Sequence, residues 1–219
     1  MLEIKIPQSI SEACKIQVEL SKKVIEEDRF EKLEIVSAAD LHYGSDKVFL
    51  GYVEMKYPEM VLVKKFMNIL KPRDVWEYKS EFLCFSEGVY IVNFISNLKQ
   101  KPDVLILDGH GIAHPRKMGL ASYVGVICDI ATVGCAKKLL YGNYDRERLK
   151  PYRGSFTEIK DKRGKVIAVA LRTKDNTKEV FVSAGHKISL NTAKEVVLKL
   201  SKYRIPEPLR LAHIIAKNF

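Results

Sequence analysis

Hydrophobic and polar positions along this chain repeat with two different periods. Between 9 and 27, Ala13, Ile16, Leu20 and Val24 recur at helical spacing behind a Ser9–Glu12 pair with capping-box spacing, which predicts an amphipathic helix. Residues 33–39 form a short apolar run leading into Asp40. Residues 48–55 and 60–66 are also strand-like, with Gly44-Ser45-Asp46 and Tyr57-Pro58-Glu59 as turns, so the three segments predict an antiparallel meander. Helical period returns with Phe85, Val89, Val92 and Ile95, and Glu87 falls near the start of that stripe. Val104, Leu105, Ile106 and Leu107 are continuously apolar, as in a strand buried on both faces, and run straight into Asp108. A helix is expected over 115–130, a strand over 131–136 ending at Lys137, and β-rich segments over 166–172 and 179–183. Two helices, 191–203 and 206–217, follow, the second opening at Pro206, a residue tolerated in a first turn.

Three antiparallel strands, then helix, strand, helix and strand, predict an α/β protein of ribonuclease H-like outline. Its mixed central sheet, antiparallel strands followed by parallel ones, is flanked by helices. No repeat or linker divides the chain, so residues 1–219 are expected to form one domain. Hydrophobic residues make up 47% and charged residues 29%, as in ordinary globular proteins. No apolar run reaches the ~18 residues needed to cross a bilayer, and the first residues lack a signal-peptide core. A cytoplasmic protein without a membrane partner is the expectation. Cys14, Cys84, Cys128 and Cys135 form no C-x-x-C pair and sit among apolar neighbours, which predicts buried thiols. The net charge of +10 favours a polyanionic partner.

Asp40, Glu87 and Asp108 fall at the ends of predicted elements, and two of them close apolar strands. If those strands are neighbours, the carboxylates converge and repel unless protonated or bridged by a cation. Oxygen ligands suit Mg²⁺, with Mn²⁺ as substitute, and such ions serve phosphodiester hydrolysis. His114 is placed either to meet a phosphate or water or to cap the following helix. Lys137 is placed either to pair with a phosphate or to remain a solvated lysine. His213 shares a helix face with Ile205, Leu209 and Ala216, which predicts a core or helix-end histidine.

Six colinear blocks carry a resemblance across nearly the whole chain: A-A-D at 38–40, F-S-E-G at 85–88, D-G-H-G-I-A-H-P-R-K-M-G-L-A-S at 108–122, T-V-G-C-A-K at 132–137, F-V-S-A-G-H at 181–186 and R-I-P-E-P-L-R-L-A-H at 204–213. Together they are similar to the endonuclease V family, repair nucleases that recognise deaminated adenine. The resemblance implies a Mg²⁺-dependent enzyme that cuts the second phosphodiester bond 3′ to deoxyinosine, leaving a 3′-hydroxyl and a 5′-phosphate. It implies inosine-containing DNA, or RNA, as partner, and a monomer. Asp40 and Asp108 match the family's metal-binding acids and Glu87 its catalytic glutamate, while His114 and Lys137 match its active-site histidine and lysine. His213 falls where some members have histidine and others aspartate, so it is a further ligand candidate. Leu83, Gly109, Gly111 and Leu120 match the base pocket, and Tyr78 the wedge against the bases.

Two departures stand out. The family's P-Y-I-P-G is replaced by E-Y-K-S-E at 77–81, which keeps Tyr78 but loses both prolines and the glycine. The expectation is a flexible loop whose Glu77 and Glu81 repel a polyanion unless Lys79 offsets them. The second departure is G-H-G for the frequent G-Q-G, with His110 expected to point to solvent. Rival readings are an inosine-specific ribonuclease acting on single-stranded RNA, a ribonuclease H or resolvase without base specificity, and a binding protein that does not cut.

Overall fold

Long apolar strands define the core of the computed structural model, which describes residues 4–71, 76, 79 and 81–218. In chain order the elements are α1 (Ile10–Ser21), β1 (Ile35–Tyr43), β2 (Val48–Lys56), β3 (Val61–Leu70), α2 (Leu83–Ser96), β4 (Val104–Leu107), α3 (Leu120–Cys128), β5 (Ala131–Ala136), β6 (Phe156–Lys160), β7 (Val166–Leu171), β8 (Val180–His186), α4 (Leu190–Lys199) and α5 (Glu207–Lys217). They build one eight-stranded sheet in the order β3-β2-β1-β4-β5-β8-β7-β6. The β1-β2-β3 meander is antiparallel, β1-β4-β5 is parallel, and β8, β7 and β6 extend the far side antiparallel. The ribonuclease H-like order expected from the sequence is borne out.

Residues alternate across the sheet into two apolar layers. Val36, Ala38, Ile106, Val133 and Val182 face Leu209, Ala212, Ala193 and Val196 of α5 and α4. Ala39, Leu50, Leu105 and Leu107 face Ala13, Phe85, Ile91, Leu120 and Tyr123 of α1, α2 and α3. Burying both faces explains why β4 and β5 read as continuous hydrophobic runs. Edge strand β3 is different: Val61, Leu62, Val63, Phe66 and Ile69 are exposed, with Lys64 and Lys65 at its centre. Central lysines are one means by which an edge discourages pairing with another chain.

Several boundaries move from the expected ones. Ser9 does cap α1, accepting from the Glu12 amide at 3.2 Å, but the helix ends at Ser21 rather than 27. The Glu12 carboxylate reaches the Gln8 amide at 2.7 Å instead of completing the box. Strand β6, absent from the expectation, buries only Thr157 and Ile159 of five residues and carries a weak apolar signal. Helix α3 starts at Leu120, not 115, because residues 109–119 form a loop tied by its own backbone: the Gly119 amide donates to the Gly111 carbonyl at 3.0 Å and that of Ala121 to His110 at 3.0 Å. Cys84, Cys128 and Cys135 are buried free thiols, as expected, and Cys14 is half-buried.

Gly51 of β2 pairs with Asp40 of β1 at the point where α5 crosses the sheet. A Cβ there would lie 2.0 Å from the Ala212 carbonyl oxygen, so this glycine permits the close approach of the helix. Replacing Gly51 by alanine should push α5 off the sheet. Overpacking of this kind costs ~1–3 kcal/mol, so the melting temperature should fall by several degrees in a thermal unfolding scan.

Candidate active site

The register of two parallel strands places the acids. The β1–β4 pairing ends at Ala39↔Leu107, and Asp40 and Asp108 are each the next residue. Neighbouring strands lie ~4.8 Å apart, so the two carboxylates emerge side by side. Asp40 is not at a strand end, as the sequence suggested: β1 continues along β2 to Tyr43, and only its pairing with β4 stops before Asp40. Glu87, one turn into α2, reaches the same place from the adjoining layer.

Charge repulsion and burial show in the acids' proton affinities. Burial pushes Glu87 up to about 8, helped by the negative charges of Asp40 and Asp108. Burial also raises Asp40; the His213 hydrogen bond opposes this and the Asp108 charge adds to it. Lys137 forms a salt bridge with Asp108. Burial disfavours its charged form, but the Asp108 charge and hydrogen bond outweigh this and the ammonium is held more firmly than usual. Lys137 is therefore neither an idle solvated lysine nor a free cation in this structure. The Arg204 guanidinium holds its backbone, donating to the Lys137 and Glu179 carbonyls at 2.9 Å each.

His213 is not the core histidine that its helix face suggested. The buried face of α5 is Leu209, Ala212 and Ala216; His213 lies half-exposed beside it, its Nδ1 2.7 Å from the Asp40 Oδ2. The close approach at Gly51 brings Ala212, and with it His213, down to Asp40. Among the described residues, no three His, Cys, Asp or Glu side chains are gathered closely enough to form a ready-made metal cage. The three carboxylates nevertheless fit a hard cation: all are oxygen donors, and the raised proton affinities of Asp40 and Glu87 mark surplus negative charge.

A cavity of about 290 Å³ opens beside the acids, its wall including Glu81, Leu83, Cys84, Gly109, His110, His114, Gly119, Leu120 and Lys138. Leu83, Gly109 and Leu120, which the resemblance assigns to a base pocket, all line this cavity. Gly111 does not line the cavity. Its amide donates to Ser183 Oγ at 2.8 Å, and a Cβ on it would meet the Ala184 carbonyl oxygen at 1.9 Å, so it seats the loop on β8. His110 does not simply face solvent: its Nε2 lies 3.0 Å from the Lys138 carbonyl and its Nδ1 is buried. Tyr78 lies outside the described residues.

His114 is buried in the wall of this cavity, not among the carboxylates. Its Nε2 lies 2.8 Å from the Glu81 carbonyl, which can only accept, so that nitrogen carries the proton. Nδ1 then accepts from the Arg116 amide at 3.2 Å, and burial holds the ring neutral with its pKa lowered to about 4. Glu81 does not repel a polyanion as a free charge, since its carboxylate pairs with Arg116 at 2.9 Å. Gln17, Arg116 and Arg204 escaped the sequence reading. For Gln17 a signal existed: a polar amide between Ala13 and Leu20 on an otherwise apolar helix stripe.

A sequence model of the endonuclease V family matches residues 18–214. The endonuclease V of Dictyoglomus turgidum is 44% identical over 208 residues, 94% of this chain and 89% of that relative. The crystal structure of the catalytic domain of human endonuclease V superposes with a TM-score of 0.87 at 28% identity, covering 97% of this chain and 96% of that one. The endonuclease V of Ciona intestinalis, solved with a 24-nucleotide DNA containing an inosine followed by a ribo-adenosine, gives a TM-score of 0.85 at 31% identity, covering 97% and 98%.

The raised Glu87 carboxyl sets a pH signature. Between the ordinary carboxylate range and about pH 8 the folded protein keeps a proton on Glu87 that the unfolded chain has released. The folded state therefore binds more protons, and its stability should decline as pH rises from about 5 to 8. Melting temperatures of chelator-treated protein across that range should fall, and Glu87→Gln should flatten the trend.

Proposed function

The chain belongs to the endonuclease V family of nucleases, and on that premise we propose that it is a Mg²⁺-dependent endonuclease acting on inosine-containing DNA. The observation that carries this reading is one of adjacency. Gly109 follows Asp108, Lys138 follows Lys137, and both Gly109 and Lys138 line the cavity. A base held there leaves its own backbone beside the acids.

In this reading the inosine base leaves the stack and enters the cavity between Leu83, Gly109 and Leu120, at a cost of a few kcal/mol that mispairing reduces. Hypoxanthine presents a 6-oxo acceptor and an N1–H donor where adenine has the opposite pair. A wall built largely of fixed backbone groups rejects adenine by leaving buried partners unpaired. Asp40, Asp108 and Glu87 would hold Mg²⁺, which when bound supplies positive charge at the phosphate and acidifies a water for attack. His213 orients the Asp40 carboxylate. Lys137, kept protonated beside Asp108, neutralises charge developing on the phosphate oxygens. His114 acts as a neutral holding group for the cavity wall. The bond cut is the second phosphodiester 3′ to the lesion, leaving a 3′-hydroxyl and a 5′-phosphate. The second reading is an inosine-specific ribonuclease, and the ribo-adenosine that follows the inosine in the DNA bound by the Ciona relative supports tolerance of a ribonucleotide there.

The test uses matched strands with inosine or adenosine at one position, as duplex DNA, single-stranded DNA and RNA, each with Mg²⁺ and with chelator. Cleavage confined to inosine strands and lost with chelator is expected; equal cutting of adenosine strands would return the protein to an unspecific nuclease of the same fold. Asp108→Asn should abolish cutting while retaining binding in Ca²⁺, whereas a non-cutting wild type that binds inosine would support the binding-protein rival. Lys137→Ala should slow single-turnover cleavage roughly 10²-fold, the scale of a lost charge-stabilising donor.

A further inference from the structure

Glu81 stands where the family motif has glycine, and its backbone has kept the glycine conformation, with φ of 73°. A side chain at this φ crowds its own backbone, which is why glycine is the usual occupant. The surroundings hold Glu81 from three sides. Its carbonyl accepts from Gln17 Nε2 at 2.8 Å and from His114 Nε2 at 2.8 Å. Its carboxylate accepts from Arg116 Nη2 at 2.9 Å. Arg116 Nε in turn donates to Gln17 Oε1 at 2.6 Å, closing a ring of three residues through the Glu81 carbonyl and carboxylate, and its guanidinium lies 4.8 Å from the centre of the Phe82 ring.

The members of this ring belong to different walls of the cavity. Glu81 opens the segment that continues into Leu83 and Cys84; Arg116 belongs to the loop that ends at Gly119 and Leu120. Gln17 enters from α1, is fully buried, and also reaches Cys84 Sγ at 3.3 Å and the Met118 carbonyl at 3.2 Å. For the turn alone, glycine would serve without strain. What the side chain adds is the bond to Arg116, which ties this segment to the loop before α3, in a segment that has lost the motif's two prolines.

We propose that Glu81 is a positioning residue for base recognition: clamped by Gln17, His114 and Arg116, it fixes the two walls of the cavity relative to each other and so governs how tightly an inosine base is held. The proposal rests on the cavity being the base site. Glu81 acts through Leu83, Cys84 and Leu120, and bond breaking stays with the carboxylates.

The test separates binding from chemistry. Glu81→Gly and Arg116→Ala should each raise KM for an inosine-containing strand roughly tenfold, the scale of one hydrogen bond to a charged group, with the single-turnover rate at saturation within about twofold of wild type. The double variant should be no worse than either single one, since the two side chains work as a pair. Glu81→Gln, which keeps an acceptor for Arg116, should recover most of the affinity. Glu81→Gly should melt no lower than wild type, because it releases the strained φ. Additive losses in the double variant, or a loss confined to the single-turnover rate, would overturn the proposal. So would an undiminished preference for inosine in both single variants when wild type shows that preference. A wild-type protein that does not distinguish inosine from adenosine overturns the function reading itself, and the clamp with it.

Discussion

Two like charges forced into adjacency by a parallel strand pair are the constraint on which this structure turns. Ending the β1–β4 ladder one residue before both Asp40 and Asp108 leaves carboxylates side by side in a poorly solvated place, and Glu87 arrives as a third. Left alone, such a group is unfavourable. The fold answers with the Lys137 ammonium just after β5, with a hydrogen bond to Asp40 from the His213 imidazole of α5, and with a retained proton on Glu87. Local conflict maintained by the surrounding fold is characteristic of a functional site.

Recognition and chemistry share the same two chain segments. After β4 the chain passes within one residue from the acid cluster to the cavity wall, and after β5 it does so again. Side chains hold the backbone of both segments, Ser183 of β8 accepting from the Gly111 amide in the first and Arg204 donating to the Lys137 carbonyl in the second. Little freedom remains between the place that would seat a base and the place that would receive its phosphate. Positional rigidity of this kind is how a scaffold turns binding into rate.

How far the sequence reveals this depends on the physical range of each signal. The buried strands were legible because a strand covered on both faces must be apolar throughout, and β4 and β5 are. Asp108 was legible for the same reason, as the first charge after such a run. The position of Asp40 within β1 was not, because the end of pairing on one side of a strand leaves no mark while the other side continues. Thr157 and Ile159 alone could not announce β6. The end of the loop before α3, residues 115–119, reads as helix, but its apolar residue Met118 is buried by tertiary packing and not by a helical stripe. The bonds linking Gln17, Glu81 and Arg116 join residues as far as 99 positions apart, and nothing local encodes them. His213 was misjudged because a residue next to a buried helix face is indistinguishable by period from one on it.

The crossing of α5 over Gly51 has a consequence for how the molecule is made. Asp40 is synthesised early, yet its imidazole partner lies 173 residues further along and comes on the same helix that shields the β1–β2 face from water. A growing chain therefore carries a naked apolar sheet face and an unattended carboxylate until α5 emerges from the ribosome. Closure of the hydrophobic layer and the pairing of Asp40 with His213 then become a single event, made in one docking step.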